Sequence, residues 1–293
     1  MHRIIPSYLI IMLLPAWLVA HDTLLRPESH LTKPNKPFEV AVFTGDFDRS
    51  VYPLGEERVE DLSVHTEAAK MEVEPINWQR LMGGSKFWQF KQRVVGKLGG
   101  IDQRDASLFE MSIEKAGSVV LAVDFEQERI ALELDKYQTY LDEEAYDDLN
   151  LAEHGFTEPE DIIVEAYTKI GKTIIQVGDS ITDNVTKPVG QRIELVPLSH
   201  PAKLQKGQSL SIQVFYSGKP LAHQSIVVGY EPGAFKNSLD FKQVYKSDQE
   251  GIIQVPLNHA GIWWANTIFI EEAPADEGLD FISWWGSLTF EIN

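Results

Sequence analysis

Apolar and polar residues alternate in short runs along most of the chain, the period of strands with one buried face. Phe38–Thr44 and Phe87–Val95 are rich in aromatic and β-branched residues. Leu108–Glu114 and Ser118–Asp124 flank Lys115-Ala116-Gly117, which reads as a hairpin turn. From Val189 onward every run is strand-like: Arg192–Pro197, Leu210–Tyr216, Gln224–Tyr230, Gln243–Lys246, Ile252–Pro256, Ile262–Glu271 and Ile282–Ile292. Seven strands in about 105 residues, with turns at this spacing, predict an immunoglobulin-like sandwich. In the last run Ile282, Trp284, Gly286, Leu288, Phe290 and Ile292 face one way. Trp285 falls among Ser283, Ser287, Thr289 and Glu291 on the more polar face, so it needs cover from elsewhere in the fold.

The period changes in the middle of the chain. Tyr137, Leu141, Ala145 and Leu149 recur on one helical face, with Asp142, Glu143, Glu144, Asp147 and Asp148 beside them as a solvated acidic face. A second helix is signalled by a capping box, Thr157 to Glu160, with Pro159 in its first turn. Ile162, Ile163, Ala166, Tyr167 and Ile170 then follow at helical spacing. The expected architecture is mainly β: two β-sandwich domains, the C-terminal one immunoglobulin-like, with a short helical pair between them. The predicted boundaries are a signal peptide at 1–20, an N-terminal β-rich domain at 21–188 with its helical segment at about 135–172, and the sandwich at 189–293. Residues 179–190 read as the linker.

The leader follows from Arg3, the apolar stretch Ile4–Val19 and the small Ala20 ahead of polar His21-Asp22-Thr23. No other stretch reaches the ~18–20 apolar residues of a membrane span, so the mature chain is expected to be exported, periplasmic or beyond, without a transmembrane segment. A formal net charge of −18 argues against nucleic acid as a partner. The chain has no cysteine, which excludes disulfides, thiolate metal sites and thiol nucleophiles.

A mature chain starting at His21 would present an α-amine and an imidazole in one place, a chelate suited to Ni²⁺, Co²⁺ or Cu²⁺. Asp22 would add a carboxylate or orient the ring. His30, His65, His154, His200, His223 and His259 are scattered with no ligand spacing. Asp46, Asp48 and the loop Glu271–Asp280 read as solvated acidic loops, with a hard-cation site as the sharper alternative. Trp263-Trp264 and Trp284-Trp285 admit a sugar-stacking reading, although a sandwich normally buries one Trp of each pair. No catalytic motif is present, and no enzymatic activity or organic cofactor is expected.

Several segments, in order, resemble an exported bacterial family of largely unknown function associated with nickel and cobalt uptake (NikM-like substrate-binding components). They are His21-Asp22-Thr23-Leu24-Leu25-Arg26-Pro27, Lys115–Leu121, Glu165–Lys172, Leu195–Leu198, Gly218–Leu221, Asp248–Gly251 and Ser283–Phe290. The resemblance implies a non-enzymatic, β-rich protein that binds a divalent transition metal and serves a membrane transporter component. His21 is the ligand it transfers. Leu24 stands where that family usually has Trp, and Phe269 where its members often carry a second His. Two alternatives stay open: a protein- or glycan-binding β-sandwich module without metal, and a copper oxygenase built on the terminal histidine.

Overall fold

The computed structural model describes residues 22–46, 49–50, 52–81, 106–231, 241–275 and 277–293. Strands β1 (Thr23–Pro27), β3 (Phe38–Asp46), β8 (Ser107–Met111) and β7 (Ile76–Arg80) form one sheet in that order, with β4 (Arg49–Ser50) on β3. It faces β11 (Ile162–Val177), β9 (Gly117–Phe125), β5 (Val59–His65) and β6 (Lys70–Glu72). Leu25, Val40, Val42, Phe109, Leu121, Val123 and Ile175 fill the space between them.

The second sandwich sets β12 (Ile193–Pro197), β13 (Ser209–Tyr216), β14 (Lys219–Pro220) and β17 (Ile252–Pro256) against β16 (Gln243–Lys246), β15 (Ser225–Tyr230), β18 (Gly261–Glu272) and β19 (Phe281–Ile292). The strand order in chain sequence, β12-β13-β17 facing β16-β15-β18-β19, is that of an immunoglobulin-like sandwich. The first sandwich has the same order: β1-β3-β8-β7 facing β11-β9-β5-β6. All seven C-terminal strands begin and end within one residue of their predicted limits.

The two sandwiches share a sheet. The last strand of each, β11 and β19, pair in parallel from Glu165↔Phe281 to Thr173↔Thr289. The combined sheet therefore runs β16-β15-β18-β19-β11-β9-β5-β6, with β2 (Leu31–Thr32) and β10 (Glu128–Glu133) also on β11. Ile175 and Val177 of β11 enter the first core, while Ile170 and Ile174 enter the second. Residues 179–190 pass from one sandwich to the other, and Val185 is buried in the second core. A third cluster joins the outer face of the first sandwich (Leu24, Phe43, Leu108) to Val227 and Trp264 of the second.

Three expectations are corrected. The second helix is the long strand β11. Asp161 Oδ2 accepts the backbone N–H groups of Thr157 and Glu158, each at 2.8 Å, so the supposed cap closes a turn from its far side and the chain leaves it extended. A strand covered on both faces is a near-continuous apolar run, in which helical spacing can be found by coincidence. The first helix, α1 (Leu134–Glu143), stops well short of Leu149. Ala145 takes a φ of 53°, and a helix reaching 149 would place Asp147 and Asp148 against its negative end. Finally, Ser107–Met111 and Gly117–Phe125 do not form a hairpin: they belong to opposite sheets, and Lys115-Ala116-Gly117 turns the corner between them. The run Phe87–Val95 lies outside the described residues.

Candidate functional site

The face of β19 that carries Ser283, Trp285, Ser287 and Thr289 is covered by two different elements. β1 covers one end: Ser287 Oγ donates to the Thr23 carbonyl, and Thr289 Oγ1 donates to that of Leu25 at 2.6 Å. Gly171 permits this approach, since a Cβ there would lie 3.3 Å from both Ser287 Oγ and the Thr23 oxygen. The other end lies beneath α1. Trp285 stacks on Tyr140 at 5.3 Å between ring centroids and is buried, the cover its polar neighbours demanded.

A polar seam lies between the two covers. Asp22 leads into β1, its carbonyl accepting the Gly45 N–H at 2.9 Å. Glu144, which ends α1, is 9% exposed and accepts a hydrogen bond from Asn266 Nδ2 at 3.3 Å. Asn266 sits on β18 directly opposite Ser287, whose hydroxyl holds the residue after Asp22. Burial, followed by the negative charge of Asp22, pushes the Glu144 carboxyl well above the usual carboxylate range. Lys242 and Lys169 pull it down by less. Thr23 Oγ1 and Asn266 Oδ1 are buried without a hydrogen-bond partner among the described residues. Such an orphaned oxygen costs about 1–3 kcal/mol unless a further group satisfies it. The Lys169 ammonium donates to Tyr52 OH at 3.0 Å and lies over the rings of Tyr52, Tyr167 and Trp285.

Beneath α1, the buried Glu165 carboxylate accepts hydrogen bonds from Tyr137, Tyr140 and Ser283. Burial lifts its carboxyl to about 7 against the opposing effect of these three hydroxyls. Trp285 Nε1 donates to Ser283 Oγ at 3.1 Å and completes the knot.

Of the sequence-predicted ligands, His21 lies outside the described residues and Asp22 stands at the seam. The other histidines are dispersed and already engaged. His30 is buried, its Nδ1 2.8 Å from the Ile174 carbonyl, and burial lowers its imidazole to about 4. His200 Nδ1 accepts the Ala202 N–H, which leaves Nε2 to donate to Ser118 Oγ at 2.7 Å. His65 meets Ser63, His154 meets Glu272, His223 meets Gln249 and His259 stacks on Tyr230. Among the described residues no three His, Asp or Glu side chains gather to hold a metal. In the 271–280 loop, Asp280 Oδ2 accepts the Val164 N–H and Glu271 accepts from Tyr216 OH. The side chains of Asp46 and Asp48 lie outside the described residues. Trp263, Trp264, Trp284 and Trp285 are all buried, so none of the four offers a sugar-stacking surface.

Asn266 was not read in the sequence at all; Glu144 was read only as part of a solvated acidic face, and Glu165 and Lys169 only as part of the segment carrying the family resemblance, none with a site role. Glu144 had a readable signal: it lies three residues from Leu141 and seven from Tyr137, on the apolar stripe of α1 rather than its acidic face.

Among the described residues no helix is long and apolar enough to cross a membrane. Residues 18–271 match the family model of a domain of unknown function, DUF4198. No curated protein matches the chain. Among solved structures, the D0-D1 domain of intimin is 11% identical, with 92% of this chain and 97% of that chain covered and a TM-score of 0.20. A DUF4785 family protein from Legionella pneumophila is 8% identical, with 82% and 50% covered and a TM-score of 0.22. Salmonella alpha-2-macroglobulin reacted with methylamine is 9% identical, with 92% and 15% covered and a TM-score of 0.20. Likenesses at these scores add nothing to the topology described above.

Proposed function

We propose, for a chain that belongs to the DUF4198 family of domains of unknown function, that it is an exported, non-enzymatic protein binding a divalent transition metal for uptake or delivery. The metal is nickel or cobalt, with copper as the further option. Cleavage after Ala20 frees the His21 α-amine, which with the imidazole closes a chelate ring, and Asp22 supports it. An α-amine pKa near ~7.7 leaves metal competing with a proton at modest cost at neutral pH.

The observation that carries this reading is the anchoring of Asp22. Its backbone is bonded to Gly45, and the next residue is held by Ser287, so the ligand pair would be attached directly to a fixed strand. A terminal histidine on a frayed end would gain nothing from its sequence position. The donor types at the seam also suit such a metal: the carboxyl groups of Asp22 and Glu144 and the orphaned amide oxygen of Asn266. Delivery to a membrane transporter component is the partner role that suits an exported metal carrier.

The test is calorimetric titration of a chain beginning at His21 with Ni²⁺, Co²⁺ and Cu²⁺. One equivalent of at least one of them is expected to bind. Absence of binding for all three contradicts the proposal.

A further inference from the structure

We propose that β10 is a self-recognition edge: two copies of this chain pair antiparallel along it, Ala131 opposite Ala131 on a two-fold axis, and the shared sheet runs on through both molecules. The contact is independent of metal binding.

The shared sheet ends on β16 and β6, strands of four and three residues, whereas β10 has six and pairs on one side only, with β11. It continues the line of β9. β9 lies antiparallel on β11 from Ile174 to Val177, and β10 from Ile162 to Tyr167. The next strand outward, β5, begins at Val59 opposite Phe125 and so does not reach alongside β10. Arg58 closes only the first residue, its guanidinium 2.8 Å from Glu128 Oε1 and 3.1 Å from the Glu126 carbonyl. Beyond it, the backbone of residues 129–133 makes no hydrogen bond among the described residues other than its ladder to β11. Such an edge is a template for a further strand, and proteins that do not use one shorten it, cover it or charge it.

The charges on β10 select a register rather than block pairing. A two-fold axis normal to the sheet sets one residue opposite its own copy, and every other pair follows from that choice. With Ala131 on the axis, Arg129 faces Glu133 of the second copy and Ile130 faces Leu132, each twice. Arg129, Ala131 and Glu133 share one face of the strand, Ile130 and Leu132 the other. Arg129 is exposed and has no ion pair among the described residues. Glu133 is exposed as well, and its contact with Lys136 at 2.7 Å is a surface pair that costs little to share. Ile130 and Leu132 belong to the apolar cluster beneath α1, so pairing extends that cluster across the axis. Centring the axis on Ile130 or Leu132 instead sets Arg129 or Glu133 against Ala131, with no ion pair between strand residues. Two chains of net charge −18 repel at long range, and the paired Arg129–Glu133 contacts offset that where the strands meet. One strand pair is a small interface, so the dimer forms at high protein concentration rather than as a permanent assembly.

Sedimentation equilibrium of the full chain starting at His21, over roughly 1 μM to 1 mM, tests this. The wild type is expected to pass from monomer towards dimer across that range. Arg129→Glu, which sets two carboxylates against each other, is expected to weaken the dimer at least ~10-fold, and Arg129→Glu/Glu133→Arg to restore it. Circular dichroism confirms that each variant is folded. Ala131→Cys reads the register, as the single thiol in a chain without cysteine. Directly opposed residues lie about 4.5–5.5 Å apart at Cα, within disulfide reach. Ala131→Cys is therefore expected to oxidise to a covalent dimer faster than Val244→Cys, at an exposed position on β16. A wild type that stays monomeric throughout, or a dimer that Arg129→Glu leaves unchanged, overturns the proposal. Failure of the double variant to restore the dimer, or equal oxidation at the two cysteine positions, overturns the register.

Discussion

Removing the ammonium of Lys172 tests how the two sandwiches are fastened. Lys172 lies on β11 and Glu194 on β12, and their Nζ–Oε1 distance is 2.6 Å with side chains 3% and 1% exposed. Glu194 also accepts the backbone N–H groups of Val189 at 2.7 Å and Gly190 at 3.1 Å. Lys172→Met keeps most of the apolar stem but leaves a buried carboxylate without its countercharge. Breaking a buried pair from one side costs about 3–5 kcal/mol. The two retained backbone donors place this case at the lower end, about 3 kcal/mol. At about 2 °C per kcal/mol for a chain of this size, the midpoint falls by roughly 6 °C. Urea unfolding at pH 7, followed by circular dichroism and tryptophan fluorescence, measures the loss. Lys172→Met/Glu194→Gln is expected to recover part of it, with a coupling energy above ~1 kcal/mol. A single Lys172→Met variant within ~1 kcal/mol of wild type would refute the reasoning, since the carboxylate would then have found water or another donor.

Three further outcomes follow from the buried groups. His30 stays neutral down to about 4, whereas an unfolded histidine titrates near ~6.5. The unfolded chain therefore takes up a proton that the folded chain refuses, and about 3 kcal/mol is lost as pH falls from ~6.5 to ~4. His30→Gln, which keeps a donor for the Ile174 carbonyl, should flatten the stability–pH curve in that window by close to one proton; an unchanged slope counts against it. Glu165 runs the other way: its folded carboxyl holds a proton up to about 7 that the unfolded chain loses near ~4.3. Wild-type stability from this group declines as pH rises through that interval, so Glu165→Gln should gain about 3 kcal/mol on wild type between pH 4 and 8. A difference that stays constant with pH would sink this assignment. At Gly229 a Cβ would lie 2.4 Å from the buried ring of Trp264, and Gly229→Ala should cost about 1–3 kcal/mol in chemical denaturation. A neutral substitution there would mean that the Trp264 ring moves freely between the sandwiches.

The C-terminal sandwich was legible because its strands are short, alternate and are punctuated by Gly turns. Trp285 shows how far alternation reaches: its face was readable, and so was its need for cover, but not that Tyr140 supplies it. β11 was misread for the opposite reason. Buried on both faces, it offers no alternation, and the Thr157–Glu160 spacing supplied a false start signal. The parallel pairing of β11 with β19 joins residues more than a hundred positions apart, and local pattern carries no trace of it. The candidate site divides in the same way. Asp22 was visible beside the expected cleavage point, whereas Glu144 was hidden within an acidic run and Asn266 carried no motif. Their meeting depends on the docking of α1 and on the register of β18 with β19.

The most direct test of metal capture compares the mature chain beginning at His21 with the same chain carrying one extra residue before it. The extension turns the α-amine into an amide nitrogen and leaves the imidazole, Asp22 and the whole fold in place. Isothermal titration with Ni²⁺, Co²⁺ and Cu²⁺ is expected to show binding to the mature chain and at least ~100-fold weaker binding to the extended one. Equal affinity in the two would contradict the terminal chelate and, with it, the proposed function.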